Sequence, residues 1–281
     1  MKDDNSRNDL FAPILNNDAL MGPFLLIARL FMSGIFVFYM LHVPDIFRDE
    51  HVPSPLLYLA MAAIFAGVVL LVLGYKTRFA AILMAVYLNV LMIFLPHVLG
   101  ILFKVPAVTA GFFFMFAYGP GPWSLDRYLD TPKPRIIDNK AFMGPLLLAG
   151  RILATFVFLY MGLHKIQYTS FTRGYMSLHH VPPNLVYLAM FTQTFFPVLV
   201  LLGYYTRYGA LGLAGFCMIA SSLFHNQFSI PFEVGQFGLD WAIAGGFLFM
   251  FAYGPGPLSL EERQRRARPA VARSEAPSMG A

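Results

Sequence analysis

Cysteine is nearly missing from this chain, with Cys217 the single one among 281 residues. One thiol leaves no CxxC pair, no Fe–S ligand set and no intramolecular disulfide, so thiol–disulfide relay chemistry is excluded within the chain. Cys217 sits inside an apolar run and reads as packing. Charge is scarce as well: Asp, Glu, Lys and Arg make up 12% of the residues, against 58% that are hydrophobic. Also lacking are a P-loop, a nucleophile elbow, a dinucleotide fingerprint and an HExxH motif, so the sequence predicts no nucleotide, metal or haem site.

What the chain does have is apolar surface. Its mean hydropathy is +0.62, more than a soluble domain of this length buries. Apolar runs of about 20 residues fall near 23–42, 56–74, 79–95, 105–118, 145–164, 184–203, 208–224 and 236–253. They predict an all-α membrane protein of eight transmembrane helices. The polar segment 1–22 lacks the cleavage pattern of a signal peptide, so the first helix is expected to stay in the mature protein. At the other end, 263–281 is basic and then Ala/Pro/Ser-rich, and is expected to be a disordered tail.

Lys and Arg sort to one side of these helices. Lys76, Arg78, Arg127, Lys133, Arg135, Lys140, Arg207 and the tail arginines share a face with the N-terminus, whereas the opposite face has only Arg48, Lys104, Lys165 and Arg173. The positive-inside rule then places both termini in the cytoplasm of a bacterial inner (plasma) membrane. The same bias accounts for a pI near 9.3 without a nucleic-acid partner, and the tail suits anionic lipid.

The nonapeptide FMFAYGPGP occurs at Phe114 and again at Phe249, within a longer duplication. MGPFLLIARLF at Met21 matches MGPLLLAGRIL at Met143, HVPSPLLYLAM at His51 matches HVPPNLVYLAM at His180, and GYKTRFAA at Gly74 matches GYYTRYGA at Gly203. Four helices per copy is an even number, so the copies enter the membrane in the same sense, as parallel repeats. Two four-helix bundles side by side are expected, over 23–130 and 143–262, joined by a linker at 131–142.

These motifs resemble the DoxX family of small four-helix membrane proteins. The pattern consists of an Arg early in the first helix (Arg29, Arg151), a polar end to that helix (GLHKIQ, 162–167), Gly-x-x-Thr-Arg between the second and third helices, and a closing Gly-Pro-Gly-x-x-Ser-Leu-acid (GPGPWSLD at Gly119, GPGPLSLE at Gly254). The resemblance covers nearly the whole chain, twice. It implies a membrane subunit of the sort found in thiosulfate:quinone oxidoreductases and other redox complexes, and it implies a quinone as cofactor. Where the family carries a Glu in its second helix, the second half has Gln193 and the first half only apolar residues around Ala63 and Ile64.

The intramembrane charges can be read physically. Arg29 and Arg151 lie about two turns inside their helices, where an unpaired cation costs at least ~2.5 kcal/mol. The acids that close the Gly-Pro-Gly motifs, Asp126 and Glu261, are the expected structural partners; an arginine snorkelling to lipid phosphate or holding an anionic ligand is the alternative. At the opposite end Lys165 and Asp240 share a depth, as do Asp45 and Lys104 in the first half.

All seven histidines fall at that same, periplasmic end. His42 and His164 occupy equivalent repeat positions, and His97 and His225 end the third and seventh helices. Individually each suits helix capping. Together with Lys165, Gln193 and Asp240, the residues His42, His97, His164 and His225 form a candidate polar chamber for a quinone headgroup.

Three function classes follow. The first is a redox-associated subunit that holds a quinone and works with a cofactor-bearing membrane or periplasmic protein. The second is a noncatalytic scaffold or assembly factor, and the third a small-solute carrier. Homo-oligomerisation and catalytic activity stay open on sequence grounds.

Overall fold

A computed structural model describes residues 10–49, 54–94 and 103–274. Among these, all regular structure is helical: α1 (Ala12–Leu15), α2 (Asp18–Asp49), α3 (Ser54–Leu73), α4 (Thr77–Phe94), α5 (Val105–Tyr118), α6 (Leu125–Tyr128), α7 (Lys140–Gln167), α8 (Thr169–Leu178), α9 (Leu185–Leu202), α10 (Thr206–Phe224), α11 (Pro231–Tyr253) and α12 (Leu260–Ser274). Five of them contain stretches long and apolar enough to cross a membrane: Asp18–Phe38, Lys140–Gln167, Leu185–Leu202, Thr206–Phe224 and Phe232–Tyr253. Three shorter apolar helices accompany them, at Tyr58–Leu73, Thr77–Val90 and Val105–Tyr118.

Local chemistry sets the helix ends. Asn139 caps α7 by accepting from the Ala141 N–H at 3.0 Å, satisfying one of the donors a helix start leaves free. The α3–α4 and α9–α10 turns pass through Gly74 and Gly203 at φ +65° and +66°, a region that a Cβ disfavours. A Cβ at either position would also collide with an arginine, Arg29 at Gly74 and Arg151 at Gly203. Glycine is needed there twice over.

The packing departs from two bundles side by side. Among the described residues α2 runs along α11 rather than along α5, and α7 runs along α5 rather than along α11, while α5 and α11 touch each other. Each half's first helix thus lies on the other half's last. Small residues permit it: a Cβ on Gly245 would stand 2.6 Å from the Ala28 carbonyl, and one on Gly150 would stand 3.0 Å from the Phe114 ring. At the centre α5 crosses α11 where a Cβ on Gly111 would come within 2.8 Å of Gly246 Cα. Close backbone approach through small residues is how helices associate where lipid removes the hydrophobic drive. One continuous core, including Phe36, Phe114, Phe247 and Phe249, runs through both halves.

Two elements differ from expectation. The tail is helical through Ser274, because Ser259 Oγ accepts from the Glu262 N–H at 3.2 Å and Glu262 pairs with Arg265 at 2.8 Å and Arg266 at 2.9 Å; these are favourable one-turn spacings. The short amphipathic helix α8 falls below any apolar-run criterion and was not anticipated.

Candidate functional site

Two polar assemblies occupy opposite ends of the helices. At the Gly-Pro-Gly end, Arg29 on α2 is buried and donates to the carbonyls of Leu71, at 3.4 Å, and Trp123. Arg151 on α7 does the same to Leu201, at 3.3 Å, and Leu258. The expected Arg29–Asp126 and Arg151–Glu261 pairing takes an indirect form. Asp126 accepts from the N–H groups of Lys76 at 2.7 Å and Thr77 at 2.9 Å, and Glu261 accepts from Thr206 N–H at 2.7 Å. The acids therefore cap α4 and α10, whose first-turn donors are the nearest groups lacking partners, and act on the arginines through space. The Asp126 N–H also donates to the Gly74 carbonyl at 2.8 Å, and the Glu261 N–H to Gly203 at 3.0 Å. Each Gly-Pro-Gly segment thus ties three helices together.

At the histidine end a cavity of about 700 Å³ lies between α7, α8, α9, α10 and α11, with Lys104 at the start of α5 reaching its edge. His164, Lys165, Gln193, His225 and Asp240 all line it. His97 and the side chain of His42 lie outside the described residues. The sequence did not single out Thr192 and Gln236, buried polar residues in the same lining. Their signal is faint, since a lone Gln or Thr in an apolar helix is common. The α8 side chains Phe171, Tyr175 and Met176 add a further wall. His180 lies 29 positions after Arg151, whereas His51 lies 22 positions after Arg29, and α8 falls within the longer stretch.

Charges in the cavity are unevenly partnered. Asp240 Oδ1 meets Lys104 Nζ at 2.6 Å, so the partner of Asp240 comes from the first half rather than being Lys165. The reason is lateral: α11 packs against α5, which Lys104 precedes. His225 Nδ1 lies 2.7 Å from Glu233 Oε2, and its Nε2 lies 3.9 Å from Asp240 Oδ2. Lys165 Nζ makes no hydrogen bond or ion pair among the described residues, and Gln193 Oε1 is buried without a partner. His164 sits at the rim between Tyr160 and Tyr168, at ring distances of 6.1 and 4.6 Å. Leu188 and Ile219 line the cavity and are 61% and 64% exposed, so its opening is apolar.

The DoxX family model matches residues 146–226, from α7 to just beyond His225. Inner membrane protein YqjF of Escherichia coli (strain K12) is 32% identical over 115 residues, which are 41% of this chain and 88% of that protein. The chain belongs to the DoxX family. It is an integral, multi-pass inner-membrane protein of that family. The DoxX match holds Arg151, Lys165, Gln193 and His225, whereas Lys104 and Asp240 lie outside it. No solved structure matches the chain. Among the described residues no group of three His, Cys, Asp or Glu is placed to hold a metal ion.

Proposed function

We propose that this DoxX-family protein is a redox-associated membrane subunit whose cavity receives the ring of a membrane quinone, with electrons exchanged through a cofactor-bearing membrane or periplasmic partner. One observation carries the proposal: a cavity of about 700 Å³ is lined by exposed apolar side chains such as Leu188 and Ile219 and also by an unpartnered Lys165 Nζ and the buried, unpaired Gln193 Oε1. A ligand site of this kind needs apolar walls and a few convergent polar groups. A lipid-soluble ring on an isoprenoid chain fits both parts. Lys165 would hold a ring oxygen by donating to it, Gln193 would orient the ring, and Phe158, Phe196 and Phe216 would exclude water. The bound quinone supplies two-electron chemistry.

The same proposal takes the chain as eight spans in two parallel repeats, with both termini cytoplasmic and the cavity at the periplasmic level. The sequence repeats and the Lys/Arg asymmetry support this.

The test is to purify the protein in mild detergent and quantify quinone extracted from wild type and from Lys165→Met and Gln193→Leu variants of unchanged thermal stability. Stoichiometric quinone in the wild type, reduced in both variants, is the expected result. A quinone-free wild type that also fails to bind added quinone overturns the proposal and favours the scaffold.

A further inference from the structure

One cation of the cavity wall has no counter-charge. Lys104 Nζ is held by Asp240 Oδ1 at 2.6 Å, and Glu233 Oε2 stands 2.7 Å from His225 Nδ1. Whatever protons His225 carries, neither acid forms an ion pair with Lys165. Among the described residues the charge that acts on Lys165 through space is Lys104, of the same sign. A cation in an apolar setting needs a partner of opposite charge or a route to water. Lys165 lines the cavity, so the missing charge is one that a ligand can bring.

Geometry limits what that ligand is. A Cβ on Gly162 would stand 3.0 Å from the Gln193 carbonyl oxygen, so α9 presses on α7 at this level, and Lys165 follows one turn later on the same face of α7. The side-chain amide of Gln193 belongs to the same wall, and its N–H groups suit the second oxygen of a small planar anion that the ammonium holds by the first. One free ammonium is a point charge and matches a single negative charge; a phosphate monoester calls for further cations or an arginine fork. Beyond these groups the walls are apolar, with Phe158, Phe196 and Phe216 among them and exposed Leu188 and Ile219 at the opening. An aliphatic chain lies along such a wall, and any length that exceeds the cavity of about 700 Å³ leaves by that opening.

We infer that the cavity binds a single-chain amphiphile with an ionised carboxylate head, a long-chain fatty acid, whose head rests on Lys165 Nζ beside Gln193 and whose chain follows the apolar walls. Charge complementarity sets the head and wall chemistry sets the chain. Resting on the quinone reading above, this ligand also regulates the site: the two share Lys165 and the same walls, so the carboxylate keeps the ring out.

The experiment is equilibrium binding of oleate and of oleyl alcohol, its neutral counterpart, to the full chain in nanodiscs of zwitterionic lipid at neutral pH. Wild type, Lys165→Met and Lys165→Arg are compared, and comparing the oleate-to-alcohol ratio between proteins removes the different partition of the two ligands into lipid. Wild type is expected to favour oleate at least about tenfold more than Lys165→Met does, the worth of one charge-assisted hydrogen bond, and Lys165→Arg is expected to keep the preference. Should Lys165→Met fail to fold, the neutral Lys165→Gln takes its place. A preference that the neutral variant leaves unchanged overturns the inference and assigns the ammonium to lipid headgroups or water. Equal, Lys165-dependent binding of lysophosphatidylglycerol overturns the carboxylate assignment. A short-chain benzoquinone separates the two readings. Its displacement by oleate in wild type supports the competition. Benzoquinone that binds where oleate does not overturns this inference and leaves the quinone site standing, whereas oleate that binds where benzoquinone does not removes the quinone reading and the competition with it.

Discussion

Tyr118 and Tyr253 stack face to face, ring centroids 4.6 Å apart and planes 7° from parallel. They are the last residues of α5 and α11 and the same residue of the two nonapeptide copies, so the repeated segments meet at this point. Seven residues earlier on each helix, Gly111 meets Gly246. The two repeats touch along this line.

Filling the helix crossing is the first test. Gly111→Leu or Gly246→Leu forces α5 and α11 apart and should cost about 1–3 kcal/mol or more, the range for overpacking a close contact. Gly34→Ala is the control, because a Cβ there meets nothing within 4 Å. Thermal unfolding in detergent should show a lowered Tm for the first two and none for the third; equal midpoints for all would mean that the crossing carries no stability.

The buried arginines should not tolerate lysine. Arg151 reaches two carbonyls, Leu201 and Leu258, through two nitrogens of one planar group. An ammonium on a flexible stem cannot span both in that geometry. Arg151→Lys is expected to lose ~1.5–3 kcal/mol, the worth of one charged hydrogen bond, and Arg29→Lys should behave alike. Retention of wild-type stability by either lysine variant in chemical denaturation would show that charge alone, not the fork, is needed.

Lys104 and Asp240 join the halves at 2.6 Å with side chains only 20% and 13% exposed. Removing one partner strands a half-buried charge. Lys104→Met and Asp240→Leu should therefore each destabilise by about 2 kcal/mol, whereas the double variant returns to within about 1 kcal/mol of wild type. Strict additivity in this cycle would mean that the pair contributes no coupling.

The terminal helix α12 should loosen in acid. Burial alone would push the Glu262 carboxyl up, but the hydrogen bond from Arg266 and the charges of Arg265 and Arg266 outweigh it and hold the group below its ordinary value of 4.5. A carboxyl lowered in the folded state contributes stability that is present above its unfolded value and lost as pH falls through the lowered one. Hydrogen exchange over 260–267 should lose protection only on acidification below the ordinary value, and Glu262→Gln should flatten that dependence. Identical profiles for the two proteins would assign the helix to Ser259 capping alone.

Much of this was legible in the sequence, for reasons that differ from residue to residue. Helix ends were legible because their signals are local: Gly-Pro-Gly stops α5 at Tyr118, and Gly203 at φ +66° stops α9. Counting along the apolar runs puts His164, Lys165, His225 and Asp240 at one end, the family pattern picks out Gln193, and all five line one cavity. Depth is a one-dimensional quantity that a sequence carries directly. Lateral neighbourhood is not, which is why the sequence pairs Asp240 with Lys165 instead of Lys104 and keeps each half's first helix within its own bundle instead of against the other half's last. The arginine contacts were hidden for another reason. Backbone carbonyls of Trp123 and Leu258 become acceptors only once the chain has turned, and no side-chain code announces them.

The placement of α2 against α11 has a consequence for the order of synthesis. The α2 segment is matched to one that emerges from the ribosome about two hundred residues after it. At the ~5–20 residues per second of translation, α2 must wait roughly ten seconds or longer for that partner. Unlike an array of autonomous modules, this chain reaches this packing only when α11 arrives, and a truncation before Phe232 leaves α2 without its companion.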